Sequence, residues 1–170
     1  MWYRQSQTLA PIYIRPLIEE DAEDIYALYA NQNVTRNTNW SGMHISYGLI
    51  KSFVDECLEM QDTLQRMTYS LEQDKKVIGL VFLHNLNKFP GYAEVGAMLD
   101  EPYQNKGIMS KVLKNVFNNT SFDKFYAVIS LKNNPSLALF TKLGFRFDPS
   151  FPLEDGHITL SLNHSQQASF

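Results

Sequence analysis

Two features in the stretch Ala93 to Ser110, AEVGAMLDEPYQNKGIMS, have residue types and spacing suited to chemistry. The first is Glu94. Strand alternation sets it on one face with Tyr92, Gly96 and Met98, while Ala93, Val95, Ala97 and Leu99 form the other. A carboxylate in the middle of a sheet is costly unless it meets water, a partner or a substrate. Glu94 is therefore a candidate general base, acting directly or through a water; a structural pairing with a basic residue is the alternative. The second feature is the polar turn that ends at Gly107 and opens a helix. The first turn of a helix has unpaired N–H groups and a partial positive charge, so it holds phosphate without a dedicated side chain. Gly107 lets a ligand approach the backbone, and Lys106 and Lys111 add positive charge. Alone, a glycine at a helix start reads first as an ordinary surface turn.

The elements that must position these groups follow from the apolar periods. Ile12 to Pro16 reads as a short strand, and Glu19 to Asp21 suit the start of a helix burying Ala22, Ile25, Leu28 and Tyr29. Asn31 to Gly42 is polar and non-periodic, a loop. A second helix is predicted from about Ser46 to Gln61, with Ile50, Phe53, Val54, Cys57 and Leu58 as its apolar stripe. Thr68 to Leu71, Val77 to His84 and Tyr92 to Leu99 then read as three consecutive antiparallel strands. Ile108, Met109, Val112, Leu113, Val116 and Phe117 share one face of a helix that ends near Asn119, and Phe125 to Ser130 is a strand. A compact helix follows, with Asn134 as its N-cap, Pro135 at its first position and Gly144 past its end. Phe145 to Phe147 and His157 to Leu162 close the order β-α-α-β-β-β-α-β-α-β-β. Helices on both sides of Phe125 to Ser130 require at least one parallel strand pair in a mixed sheet.

Bulk properties narrow the function classes. A chain of 170 residues, 44% hydrophobic and 19% charged, fits one compact α/β domain spanning residues 1–170. No stretch reaches the roughly 20 apolar residues of a membrane helix. Met1 to Ala10 has no apolar secretory core, so a cytoplasmic location is expected. The single cysteine, Cys57, has no disulfide partner and reads as a buried filler. A net charge of −3 argues against direct nucleic-acid binding. His44, His84, His157 and His164 show no ligand spacing, so no metal site is expected.

Gln104-Asn105-Lys106-Gly107-Ile108-Met109 resembles the acetyl-CoA motif of the GCN5-related N-acetyltransferase (GNAT) superfamily, Gln/Arg-x-x-Gly-x-Gly/Ala, with Met109 departing at the last position. Ala93-Glu94-Val95-Gly96 before Gly107-Ile108-Met109-Ser110 is similar to the RimJ/RimL-type branch, the ribosomal-protein N-terminal acetyltransferases. Arg15-Pro16, Leu83-His84-Asn85, Asn133-Asn134-Pro135-Ser136 and Lys142-Leu143-Gly144-Phe145 resemble the same branch, in order, over most of the chain. The resemblance implies a mixed, mostly antiparallel, twisted sheet of about seven strands with four helices, whose fourth and fifth strands splay apart to admit the pantetheine arm. It also implies acetyl-CoA as co-substrate. Backbone N–H groups of Gln104, Asn105, Lys106, Gly107, Ile108 and Met109 would hold the pyrophosphate. Met98 and Leu99 would line the pantetheine channel, with a backbone N–H for the thioester oxyanion. Asn133 would contact the cofactor arm, and Phe140 would pack beside the thiol.

Many enzymes of this superfamily use a tyrosine where this chain has Phe140, which has no proton to give. Ser136 is the nearest hydroxyl for the leaving thiolate, although a serine there also serves as a helix cap. Trp40 lies in the region that shapes acceptor pockets in this superfamily; an anchoring core tryptophan is the alternative. His84 closes an apolar strand, as a structural histidine or beside the amine. The acceptor pocket is expected from Asn33 to His44 and Phe151 to His157. The acceptor implied is a protein N-terminal α-amine, with a small amine such as a polyamine, amino acid or antibiotic as the alternative. A silent acyl-CoA-binding module is the reading from a different class, and homodimerisation stays open. A flavodoxin-like nucleotide binder is excluded by the three successive strands from Thr68 to Leu99.

Overall fold

The computed structural model describes residues 10–152 and 155–164. In chain order the elements are β1 (Tyr13–Pro16), α1 (Ala22–Ala30), α2 (Gln32–Thr35), α3 (Tyr47–Asp62), β2 (Met67–Gln73), β3 (Lys76–His84) and β4 (Tyr92–Leu99). They continue with α4 (Ile108–Asn118), β5 (Lys124–Ser130), α5 (Asn134–Lys142), β6 (Arg146–Phe147) and β7 (His157–Asn163). One seven-stranded sheet results, in the order β1-β2-β3-β4-β5-β7-β6, antiparallel except between β4 and β5.

The run Val77–Leu83 has no polar face, so β3 lies near the middle of the sheet and is buried on both sides. Asp74 and Lys75 both take positive φ, 50° and 64°, and turn β2 into β3 over two residues. Gly79 is required where β3 meets β4, because a Cβ there would lie 2.6 Å from the Met98 carbonyl oxygen.

Two cores form, one on each face. The α4 stripe Met109, Val112, Leu113, Val116 and Phe117 packs with Phe140 of α5 on Val81, Leu83, Ala93, Val95 and Leu99. On the opposite face, Ile25 and Leu28 of α1 and Ile50, Val54 and Cys57 of α3 pack on Val77, Leu80, Phe82 and Met98. Cys57 is fully buried, as its place in the stripe predicts.

Parallel pairing of β4 with β5 is short: Tyr92 opposite Lys124, Ala93 opposite Phe125, Glu94 opposite Tyr126. Past Glu94 the strands part. β4 stays paired with β3 out to Leu99, and β5 stays paired with β7 out to Ser130. Only their inner edges lose partners. This is the splay that the resemblance implies.

Three local details differ from the sequence reading. Gln32–Thr35 winds into one helical turn inside the predicted loop, because the Asn31 side chain caps it by accepting from the Asn33 N–H at 3.0 Å. One turn is too short to show an apolar period. Asn133, not Asn134, caps α5, its Oδ1 accepting from the Ser136 N–H at 3.2 Å. Phe145 precedes β6 and is buried in the core. The reading of Met1 to Ala10 falls almost wholly on residues 1–9, outside the described residues.

A buried ion pair ties β1 to the segment that leads into α1. Asp21, 4% exposed, accepts from Arg15 at 2.7 and 2.9 Å, from the Ser70 hydroxyl at 2.7 Å and from the Ile18 N–H at 3.1 Å. Burial raises the Asp21 carboxyl, but the hydrogen bonds from Arg15, Ser70 and Ile18 outweigh it and leave the group below its ordinary value. The network's stability is therefore present above about pH 4 and lost as pH falls through the lower native value. Asp21→Ala is expected to cost roughly 3 kcal/mol at neutral pH by urea unfolding, at the low end for a broken buried pair because Arg15 keeps its Glu72 contact. The deficit should shrink as the solution is acidified.

Candidate active site

Between the parted ends of β4 and β5 lies an open cleft of about 540 Å³. That volume suits a sizeable ligand. Met98, Leu99, Gln104, Asn105, Gly107, Ile108 and Met109 line it from the β4–α4 side, and Asn133, Ser136 and Phe140 from the α5 side. Of the predicted cofactor residues only Lys106, which is exposed, stands off the lining.

Two sets of backbone donors face this cleft. The Asp100 N–H bonds to Ile78 O at 2.8 Å, so alternation along β4 turns the N–H groups of Ala97 and Leu99 the other way, toward the missing partner strand. The second set is the first turn of α4. Its N-cap is Gly107 at φ 72°, which offers no side-chain cap, so the leading N–H groups stay open to a ligand. Asn105, at φ 57°, shares the left-handed conformation that shapes this turn. Gln104 ties the turn back to the sheet by donating its side-chain amide to Leu99 O at 2.8 Å.

On the α5 wall, Phe140 is 4% exposed and packs edge-on to Phe145 with ring centroids 5.0 Å apart. Ser136 is half-buried, and among the described residues its hydroxyl makes no hydrogen bond. Asn133 spends its carbonyl on the cap and presents its edge to the cleft.

Glu94 occupies the last paired position before the strands part, on the α1–α3 face of the sheet at the end where β4 and β5 are still joined, and it is not among the residues that line the cleft. Its Oε2 accepts from the Asn85 side-chain amide at 2.6 Å. His84 pairs with it across β3, and Tyr126 across β5. The Tyr126 hydroxyl is buried beside Asn85 and Glu94 with no hydrogen bond of good geometry. Burial first, then the Glu94 carboxylate, pushes that hydroxyl up to about 12, so it remains a proton-bearing donor. Phe89 and Phe151 wall this end, with ring centroids 6.2 and 4.5 Å from Tyr126.

His84 stacks on Phe82 and lies across Gly96, where an added Cβ would come within 2.9 Å of its Nε2. It does not line the large cleft. It borders a smaller hollow of about 160 Å³ with Met60, Gln65, Arg66, Asn85 and Asn87. Trp40 also stands off the cleft, packed against Tyr29 and Phe53, whose ring in turn meets Phe82. The structure thus gathers the predicted cofactor residues other than Lys106 along one cleft, whereas Glu94, His84 and Trp40 are not among its lining residues.

Sequence reasoning missed Tyr126, whose hydroxyl is hidden in an apolar strand pattern. Arg36, inside the segment expected to form the acceptor pocket, and Lys142, inside the Lys142–Phe145 motif, also line the cleft as cations, a role that sequence reasoning did not give them. Asn33 belongs to the same wall: its side-chain amide and that of Asn31 donate to the Glu101 carboxylate at 3.1 to 3.2 Å, clipping the α2 segment to the turn before α4.

The arrangement of elements is shared with known proteins. Residues 12–146 match the acetyltransferase (GNAT) domain family, and the chain belongs to that family. It is an N-acetyltransferase of GNAT type. A relative described as the uncharacterized N-acetyltransferase YoaA of Bacillus subtilis (strain 168) is 25% identical over 142 residues, covering 79% of each chain. The fold is shared with RimL, a ribosomal L7/L12 alpha-N-protein acetyltransferase solved with coenzyme A, at a TM-score of 0.76 and 15% identity, covering 89% of this chain and 93% of that one. It is equally shared with the spermidine N-acetyltransferase of Vibrio cholerae solved with CoA and spermine, at a TM-score of 0.74 and 18% identity, covering 93% of this chain and 98% of that one.

Burial, and secondarily the Arg66 charge, pushes the His84 imidazole down to about 4. In an NMR titration His84 should therefore stay neutral across pH 7 to 5 and take up a proton near pH 4. Because the unfolded chain protonates His84 near pH 6.5, this group lowers stability as pH falls from about 6.5 toward 4.

Proposed function

We propose that this protein transfers an acetyl group from acetyl-CoA to an amine by direct attack within a ternary complex, a protein N-terminal α-amine being the favoured acceptor. The observation that carries the reading is the parting of β4 and β5 immediately past Glu94, which leaves backbone donors of β4 and α4 facing one cleft. The cleft fits a phosphate-bearing thioester. The open first turn of α4 takes the pyrophosphate, from Gln104 to Met109, with Arg36 and Lys142 adding charge. Met98 and Leu99 flank the pantetheine arm beneath Asn133 and Phe140. The bound thioester supplies the activated acetyl carbon.

The residues then divide the chemistry. An α-amino group of pKa about 7.7–8.0 is mostly protonated at neutral pH and cannot attack until it loses that proton. Glu94 accepts it, directly or through a water, and Asn85 fixes the orientation of the carboxylate. As nitrogen bonds to the acetyl carbon, negative charge grows on the carbonyl oxygen. The inward N–H groups of Ala97 and Leu99 supply donors on that side of β4. The carbon–sulfur bond breaks, and the free Ser136 hydroxyl donates a hydrogen bond to the departing thiolate. That thiolate has a pKa near 8.5 and needs little help.

Calorimetric titration with acetyl-CoA, followed by thiol release with peptide α-amines and small amines, tests this assignment. Glu94→Gln should retain acetyl-CoA binding and lose at least about 100-fold in kcat, the usual scale of general-base catalysis. Ser136→Ala should lose no more than about tenfold. An unchanged kcat in Glu94→Gln would overturn the role given to Glu94. Binding without turnover on any amine would return the protein to a silent acyl-CoA module.

A further inference from the structure

Arg66 carries a charge that no carboxylate of the described structure answers. It sits between α3 and β2, with its backbone N–H bonded to Met60 O at 3.2 Å, so its place is fixed by the chain. Its guanidinium touches the Cys57 sulfur through Nη1 at 3.3 Å and lies 5.9 Å from the Phe82 ring centroid. Its Nε is buried with no hydrogen-bond partner. Among the described residues no carboxylate comes within ion-pair distance of it, whereas Arg15, Lys51 and Lys124 are all paired. A partly buried cation without a counter-charge is costly.

The guanidinium side chain also borders the hollow of about 160 Å³. Gln65, Asn85, Asn87 and His84 complete its polar lining, and no acidic residue is among them. Its volume is several times a water's share of the liquid, room for a small anionic group. Asn85 joins the hollow to the proposed chemistry, since it lines the hollow and donates to Glu94 at 2.6 Å. His84 spans the same two regions, bordering the hollow and lying across Gly96, which lines the large cleft. The depressed His84 basicity fits this arrangement, because a neutral imidazole leaves Arg66 as the single cation there.

Resting on the reading of Glu94 as the amine's proton acceptor, we infer that the acceptor is an amine that also bears a carboxylate or phosphate, which Arg66 holds in the hollow beside His84 and Asn85. A guanidinium attracts such a group through paired N–H donors and repels a second ammonium, so a peptide with an acidic residue near its N-terminus fits and a polyamine does not. The hollow separates acceptors by charge, a task the large cleft does not perform.

Matched acceptors test it by thiol release: the tripeptide amides Ser-Glu-Ala and Ser-Gln-Ala, phosphoethanolamine and ethanolamine, and spermidine. The anionic member of at least one pair should have a kcat/KM at least tenfold above its neutral counterpart, and the pair that shows it identifies carboxylate or phosphate. Arg66→Gln should collapse that ratio toward one, with the loss in KM, and Arg66→Lys should restore part of it. Equal ratios in wild type and Arg66→Gln, or a preference for spermidine, would overturn the inference. A second readout needs no turnover. With the large cleft saturated by CoA, inorganic phosphate or acetate should shift the Asn85 side-chain amide resonances in wild type and not in Arg66→Gln. No shift in wild type overturns the anion site even if acetyl transfer is intact. A shift without turnover supports the site and counts against the acetyl-transfer reading alone.

Discussion

Everything in this fold turns on how far β4 and β5 can stay together. A parallel pair needs a crossover, and here α4 supplies it, returning the chain to the near side of β4 so that β5 starts beside Tyr92. Outer partners hold each strand straight, β3 for β4 and β7 for β5, while the inner edges separate after three residue pairs. Unpaired edge groups inside a protein are normally a liability, because each lost backbone hydrogen bond is expensive. Here the exposed edges line a cleft of about 540 Å³ open to solvent, so water or a ligand completes them. The α4 N-terminus adds its own unpaired donors at the wide end. A polar acyl carrier is the sort of molecule that satisfies both.

The two faces of the sheet then do different work. One face is devoted to packing, with α4 and α5 burying a continuous apolar layer against β3, β4 and β5. The other carries α1 and α3 at one end and, past their edge, the polar group of Glu94, Asn85, His84 and Arg66. Gly96 is the hinge between these uses: lacking a side chain, it makes room for the His84 imidazole while its own backbone lines the cleft. Carboxylate and guanidinium stand on this face without pairing with each other, and Asn85 separates them. On the proposed reading, that separation lets one group answer an amine and the other an anion.

Much of the scaffold was legible in the sequence because its signals are local. The six-residue stripe of α4, the unbroken apolar run of β3 and the alternation of β4 each specify an element and its buried face without reference to the rest of the chain. Glu94 stood out because a carboxylate breaks that alternation. The turn from Gln104 to Met109 was legible through its resemblance to the family motif, because a glycine at a helix start alone reads as an ordinary surface turn. Tyr126, Arg66, Arg36 and Lys142 were illegible for the opposite reason. Their meaning depends on which strand or helix end lies across from them, and one sequence contains no such information. The one-turn helix at Gln32–Thr35 escaped notice because it is held by a cap and by Glu101 across the chain, with no apolar period of its own.

Amide hydrogen exchange with and without acetyl-CoA tests the central claim, that the parted edge of β4 and the first turn of α4 together hold the acyl donor. The account predicts slowed exchange at Ala97 and Leu99 and at Ile108 to Ser110, with little change on the edge strands β1 and β6. Protection confined to α4 would place the phosphates and leave the β4 edge without its role. No protection at either place would contradict the account.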